Sequence, residues 1–378
     1  MTKRVAIEAQ RIFRPKKHGM DMVALETVRQ LIELQPEGYE FFVFVKPDDD
    51  VCVTSSGCVN VIELPATTYP YWEQIALPAA LNRYKVDLLH TTSNTAPVSP
   101  VVPLIITLHD IIYLEKGGVK GATWYQKLGT VYRKWNVPRV VPKAKALITV
   151  SEFEKKRIQQ HFGEKTNVHV VYNGISDRFF AETTATEKEA VKARYKLPDQ
   201  FVFFLGNTDP KKNLPNVLKA ALRILREGPE NLKMVIADYA PERLEQMLKA
   251  HQAEELASRF VLPGYIKNTD LPAIYASCAL FLYPSLRESF GIPIIEAQAC
   301  GAPLITSNTS SMPEVSGSKA VLVDPADFND IADKALEVLH NDDFRLKLIS
   351  DGKQNAARFS WKQTALGTLK LYSDILNR

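Results

Sequence analysis

The chain has 378 residues, of which 46% are hydrophobic and 24% charged, proportions that exclude a disordered or fibrous protein and leave room for two domains. Its 47 basic and 43 acidic side chains leave a formal charge of +4, an excess that suits anionic small molecules and is too slight and scattered for nucleic acid. Cys52, Cys58, Cys278 and Cys300 lack metal-ligand spacing and read as reduced thiols. The opening residues enter a strand pattern with no signal-peptide core, and no run reaches the roughly 20 apolar residues of a membrane span. A cytoplasmic protein is expected, with any membrane contact peripheral and at the inner face.

In chain order, strands are predicted at residues 5–9, 39–45, 59–64, 86–90, 104–108, 146–150 and 168–171, with a helix over 22–34 carrying Val23, Val28, Leu31 and Leu34 on one side. Ser151 followed by Glu154 is a capping-box signal for a helix through residue 160. Residues 176–200 turn charged and helical, and the domain junction is placed there. The second half restarts with strands at 201–205, 232–237, 260–262, 280–283, 304–306 and 320–323. Helices are predicted near 214–225, 241–257, 271–276, 293–300 and 329–338. Strand and helix alternation argues an α/β fold of two Rossmann-like, doubly wound parallel-sheet domains facing a deep cleft. The domains are expected at 1–180 and 181–360, with a helix at 361–378 packing back on the first.

The strongest chemical signal is the stretch from Pro284 to Ala297, where a strand ends, a turn follows and a helix opens around Pro293. Backbone N–H groups at such a helix start attract an anion. Glu288 on the loop and Glu296, read on the first helical turn, can accept hydrogen bonds from paired sugar or ribose hydroxyls. The turn from Gly206 to Asn213 follows another strand, and Lys212 is the choice there for a cation facing a leaving diphosphate. His109, directly after a strand, is placed to hydrogen-bond substrate. Arg11, Arg14 and Lys16 form a basic loop before Gly19 that either attracts phosphorylated donors or acceptors or is simply a solvated loop. Tyr69, Tyr71 and Trp72 either pack the domain or line an acceptor groove.

Glu288 through Glu296 matches a Glu-x7-Glu element, and with Ser311-Met312-Pro313-Glu314-Val315 and Gly264-Tyr265 the chain resembles glycosyltransferase family 4 over nearly its whole length. Trp72-Glu73-Gln74, the run from His90 to Pro97, His109-Asp110 and Asn173-Gly174-Ile175 look like the subgroup of bacterial mannosyltransferases of polysaccharide and O-antigen assembly. The resemblance implies the GT-B fold and retaining, metal-independent transfer of a hexose from a nucleotide sugar, which is substrate and not cofactor. The acceptor would be a saccharide or a polyprenyl-diphosphate-linked saccharide, and mannose from GDP-mannose the donor. It further implies that His109 and Glu288 contact the donor sugar, Glu296 the ribose and Lys212 the diphosphate. The backbone of Ser289, Phe290, Gly291 and Ile292 would lie against sugar and phosphate, with Gly19 near the phosphates. Asn207 stands where many members carry Arg. A nucleotide-sugar epimerase and a non-catalytic nucleotide-sugar-binding module are the alternatives.

Overall fold

The computed structural model describes residues 2–115, 124–206 and 209–377. It divides into two units, Met1–Gly174 with Trp361–Arg378, and Ile175–Ser360. The first holds β1 (Lys3–Glu8), β2 (Tyr39–Val45), β3 (Val59–Glu63), β4 (Leu88–Thr91), β5 (Leu104–Thr107), β6 (Ala146–Thr149) and β7 (Val168–Val170). They pair in parallel in the order β3-β2-β1-β4-β5-β6-β7. Burial on both faces explains the apolar runs of inner strands such as β5 and β6, whereas the edge strands β3 and β7 are only partly buried and carry Asn60 and His169. Val5 and Ile7 enter one core with Phe41 and Ile105, while Ala6 enters the opposite core with Phe42 and Ile106, the period-two alternation of a strand.

The helix Gly19–Leu34 covers one face and packs against the closing helix Trp361–Leu376. Tyr372 of that helix is fully buried, its hydroxyl 2.6 Å from His90 Nδ1. Of the predicted capping box, the Ser151 half is present: its side chain accepts the Glu154 N–H at the start of Glu152–Phe162. The helix Trp124–Val140 was not anticipated, because its hydrophobic pattern is weak and Pro138 interrupts it. Around Trp72–Ala76 the helical winding widens to a π turn, anchored by Trp72 Nε1 donating to the Leu64 carbonyl at 2.9 Å.

The second unit holds β8 (Phe201–Phe204), β9 (Lys233–Ile236), β10 (Phe260–Val261), β11 (Leu280–Tyr283), β12 (Leu304–Ser307) and β13 (Val321–Val323), parallel in the order β10-β9-β8-β11-β12-β13. Its core draws on the strongly amphipathic helix Leu214–Glu227, which buries Val217, Leu218, Ala221, Ile224 and Leu225. The helix predicted over 241–257 stops at Ala250, where Gln252 takes a left-handed φ of 49° before a short 3-10 turn. Asp342–Ala356, missed in the sequence, is a charged helix that buries little of itself. Among the described residues no helix is long and apolar enough to cross a membrane.

Candidate active site

In each sheet the strand order reverses once, between β1 and β4 in the first unit and between β8 and β11 in the second. Chain segments leaving such a pair run to opposite sides and open a crevice at the carboxyl ends, where ligands of doubly wound folds bind. The predicted residues of the second unit gather at its reversal. After β8 the chain turns through Pro210–Lys212, and after β11 it loops from Pro284 to Gly291. Leu286 N–H donates to the Lys211 carbonyl at 2.7 Å, and Asn213 Nδ2 to the Pro284 carbonyl at 2.9 Å. Asn213 is buried with a left-handed φ of 63°, a conformation asparagine tolerates.

These ties bring Lys212 and Glu288 together. Lys212 Nζ is 2.6 Å from Glu288 Oε1 and donates to the Tyr283 hydroxyl oxygen at 2.7 Å. The side chains are 18% and 10% exposed, so the pair is poorly screened and each charge depends on the other. Burial, reinforced by the Glu288 charge, raises the Tyr283 phenol well above its ordinary range and keeps it neutral.

The Glu288 backbone is held as firmly. Its N–H donates to Ser310 Oγ at 2.9 Å, and its carbonyl accepts from Ser310 Oγ at 2.5 Å and Ser311 Oγ at 2.9 Å. Ser311 Oγ is also 2.9 Å from the Phe290 carbonyl, so its single proton is shared between the two carbonyls, and the Phe290 ring meets Phe359 edge-on at 5.8 Å. Ser289 and Ile292 are partly exposed beside it. Gly291, at φ 99°, turns the chain into the helix Ile292–Ala299, with Pro293 in its first turn. Glu296 is the fifth residue of this helix and so lies in the second turn, not the first. Burial pushes its carboxyl up to about 7, opposed by the Arg178 charge and the Tyr275 hydroxyl. Asn207 lies outside the described residues.

In the first unit His109 follows β5 and is buried. Its Nε2 lies 3.0 Å from the Thr92 carbonyl oxygen. A carbonyl only accepts, so this contact assigns the proton to Nε2 and leaves the Nδ1 lone pair available. Burial lowers the imidazole pKa, which favours the neutral ring. The His109 backbone N–H donates to Asn94 Oδ1 at 2.7 Å. Asp110 accepts the Ile112 N–H at 3.3 Å and shapes the turn.

The basic loop is partly committed within its own unit. Arg11 Nε is 3.0 Å from Asp21 Oδ1 and Lys17 Nζ is 2.5 Å from Asp50 Oδ2, while Arg14 is half-buried and Lys16 exposed. Gly19 opens the first helix, and a Cβ there would meet nothing within 4 Å, so packing does not demand glycine.

Sequence reasoning missed Tyr283, Asn94, Glu8 and Glu73. Glu73 is fully buried and accepts from Thr95 Oγ1 at 2.5 Å, Tyr69 at 2.9 Å, Tyr132 at 2.5 Å and Gln74 Nε2 at 2.9 Å. Burial pushes its carboxyl up to about 7, against the pull of Thr95 and Tyr132. The available signals were a carboxylate inside an apolar helix and, for Glu8, one ending an apolar strand. Among the described residues no group of three or more His, Cys, Asp or Glu side chains is arranged to hold a metal ion.

Two family models divide the chain between them: Glycosyltransferase Family 4 matches residues 18–179 and Glycosyl transferases group 1 matches residues 186–355. The chain is 29% identical to O-antigen chain mannosyltransferase B of Escherichia coli, over 78% of this chain and 76% of that one. It is 32% identical to the serotype-specific mannosyltransferase WbdA of Escherichia coli over 52% of its own length, and the match spans only 24% of that relative. Among solved structures, sucrose-phosphate synthase from Thermosynechococcus elongatus superposes with a TM-score of 0.76 at 18% identity, covering 99% of both chains. Two Rossmann-like units of this kind constitute the GT-B fold, and each unit matches a glycosyltransferase family model.

Proposed function

We propose that this GT-B glycosyltransferase, related to bacterial sugar transferases, is a retaining family 4 enzyme that moves mannose from GDP-mannose to a saccharide or lipid-linked saccharide. The observation that carries the reading is the Lys212–Glu288 pair, with its Tyr283 support, at the sheet reversal of the second unit. A cation next to a hydroxyl-binding carboxylate is what a sugar diphosphate requires, since negative charge grows on the diphosphate as its bond to C1 breaks. Lys212 meets that charge, together with the start of the helix Ile292–Ala299. Glu288 holds sugar hydroxyls and Glu296 the ribose, while neutral His109 offers the Nδ1 lone pair to a sugar hydroxyl near C1.

The sugar–diphosphate bond breaks through an oxocarbenium-like state, and the acceptor oxygen attacks from the face that the diphosphate leaves. The departing phosphate oxygen takes the acceptor proton, so no side-chain base is needed and no metal is assigned. The relatives' mannosyltransferase names support mannose and a role in polysaccharide assembly. The enzyme works in the cytoplasm and meets lipid-linked acceptors peripherally.

Titration with a panel of nucleotide sugars in excess chelator, following binding and nucleotide release together, tests this reading. Selective binding and turnover of GDP-mannose is expected. Selective use of a uridine donor overturns the donor assignment, a free isomeric sugar product overturns transfer in favour of epimerisation, and no binding overturns the site.

A further inference from the structure

The switch point of the first unit holds a carboxylate that the reaction outlined above does not use. Glu8 ends β1 and is fully buried. Its Oε1 accepts the Gln10 N–H at 3.0 Å and its Oε2 the Thr92 N–H at 3.1 Å. Its backbone carbonyl accepts Thr92 Oγ1 at 2.7 Å. The Thr92 carbonyl in turn accepts His109 Nε2–H. Every polar group of Thr92 is therefore committed, its N–H and hydroxyl to Glu8 and its carbonyl to the imidazole.

We propose that Glu8 is a positioning residue for sugar transfer, acting through Thr92 to fix which His109 nitrogen carries the proton and where the ring points. This rests on the reading of His109 as a donor-sugar contact. Burying a carboxylate costs several kcal/mol unless hydrogen bonds offset it. The preceding β1 residues Val5, Ala6 and Ile7 are apolar, so core packing supplies no reason for a charge at the strand's end. Thr92 and Asn94, in the loop after β4, convert it into geometry. Thr92 is tethered on both sides of its Cα, and Asn94 adds a second grip. Its own N–H donates to the Thr107 carbonyl at 3.2 Å while its Oδ1 takes the His109 N–H. Asn94 sits at a left-handed φ of 69°, a setting in which its backbone meets the end of β5 and its short side chain reaches His109 just beyond.

With the Thr92 carbonyl held, Nε2–H has one acceptor and Nδ1 is presented as a lone pair. With the loop released, the ring loses its acceptor and the two tautomers become comparable. A misdirected lone pair weakens the contact at the reacting sugar while leaving nucleotide binding, which lies on the other unit's residues, intact.

Glu8→Gln in the full chain tests this, because its amide must turn a donor toward one of the two N–H groups. Two readouts are combined: 15N NMR of the His109 ring nitrogens, and kcat and KM for GDP release from GDP-mannose. The wild-type ring is expected as a single Nε2–H tautomer. Glu8→Gln is expected to show a tautomer mixture and a kcat lower by about tenfold, with KM within about twofold. An unchanged tautomer and kcat overturn the proposal. Should Glu8→Gln fail to fold, Glu8→Asp keeps the carboxylate but shortens its reach to the Gln10 and Thr92 N–H groups; a mixed tautomer with a kcat loss of about threefold is expected, and no change overturns the proposal. His109→Ala separates the two readings. Full activity in that variant sinks His109 as a sugar contact, whereas the ring tautomer in Glu8→Gln reports on Glu8 regardless.

Discussion

Lys212 and Glu288, 76 positions apart in sequence, form an ion pair at 2.6 Å that bridges the loops following two adjacent strands. With only 18% and 10% of the side chains exposed, neither charge is satisfied by water alone. On the proposed reading, an arriving diphosphate has to share Lys212 with Glu288. The pair therefore sets the resting charge of the site as well as its cation.

Removing either partner leaves the other charge buried, so single changes should cost more than their lost contact. Lys212→Met and Glu288→Gln are each expected to lower stability by about 2 kcal/mol. The double variant should fall short of the sum by about 1 kcal/mol or more. Chemical denaturation of the four proteins measures the coupling. Lys212→Met should also weaken GDP binding by about tenfold or more, and additive stabilities with unchanged GDP affinity would contradict the structural assignment.

With Glu296 holding the ribose as proposed, nucleotide recognition is expected to depend on pH. Its carboxyl is pushed up to about 7 by burial, and the ionised form is the better acceptor for ribose hydroxyls. GDP affinity should rise from pH 6 to pH 8, with a proton released on binding below pH 7. Calorimetry in buffers of different ionisation enthalpy reads that proton. Glu296→Gln should remove this component, leaving only the ligand's own titration.

Glu73 imposes the opposite slope on stability. Its folded value of about 7 lies above the ordinary 4.5, so between these values the folded chain holds a proton that the unfolded chain has released. The stabilisation is complete below pH 4.5 and is lost as pH rises to 7. Tm should decline across that window in the wild type and decline less in Glu73→Gln. Parallel curves would refute the assignment.

Gly291→Ala tests the turn before the helix Ile292–Ala299. At φ 99° any side chain is strained, and the added Cβ would stand 3.0 Å from Ile294 Cδ1. A stability loss of about 1–3 kcal/mol and a weaker grip on GDP-mannose are expected. A variant as stable and as tight-binding as the wild type would mean that the loop takes another path.

Strands were legible because burial on both faces writes them as unbroken apolar runs, such as Phe201–Phe204, and their ends moved by only one or two residues. Helices failed where the core takes little from them, as at Trp124–Val140 and Asp342–Ala356. Of the site, Lys212 and Glu288 could be nominated because each follows a strand. Their pairing could not, since it depends on β8 and β11 being neighbours. Glu8, and Glu73 although it stands in a phrase resembling the subgroup, could be given no role for a related reason: a carboxylate in an apolar stretch signals something only once its hydrogen-bond donors, drawn from distant segments, are known.

The closing helix Trp361–Leu376 belongs to the first unit although all of Ile175–Ser360 precedes it. On the ribosome, β1 to β7 emerge early, yet the surface that Leu371 and Tyr372 cover stays open until the second unit has been made. His90 meanwhile waits without its Tyr372 partner. The amino-terminal half thus passes through synthesis as an unfinished core, and a chain cut short within the second unit would leave that face of the first uncovered.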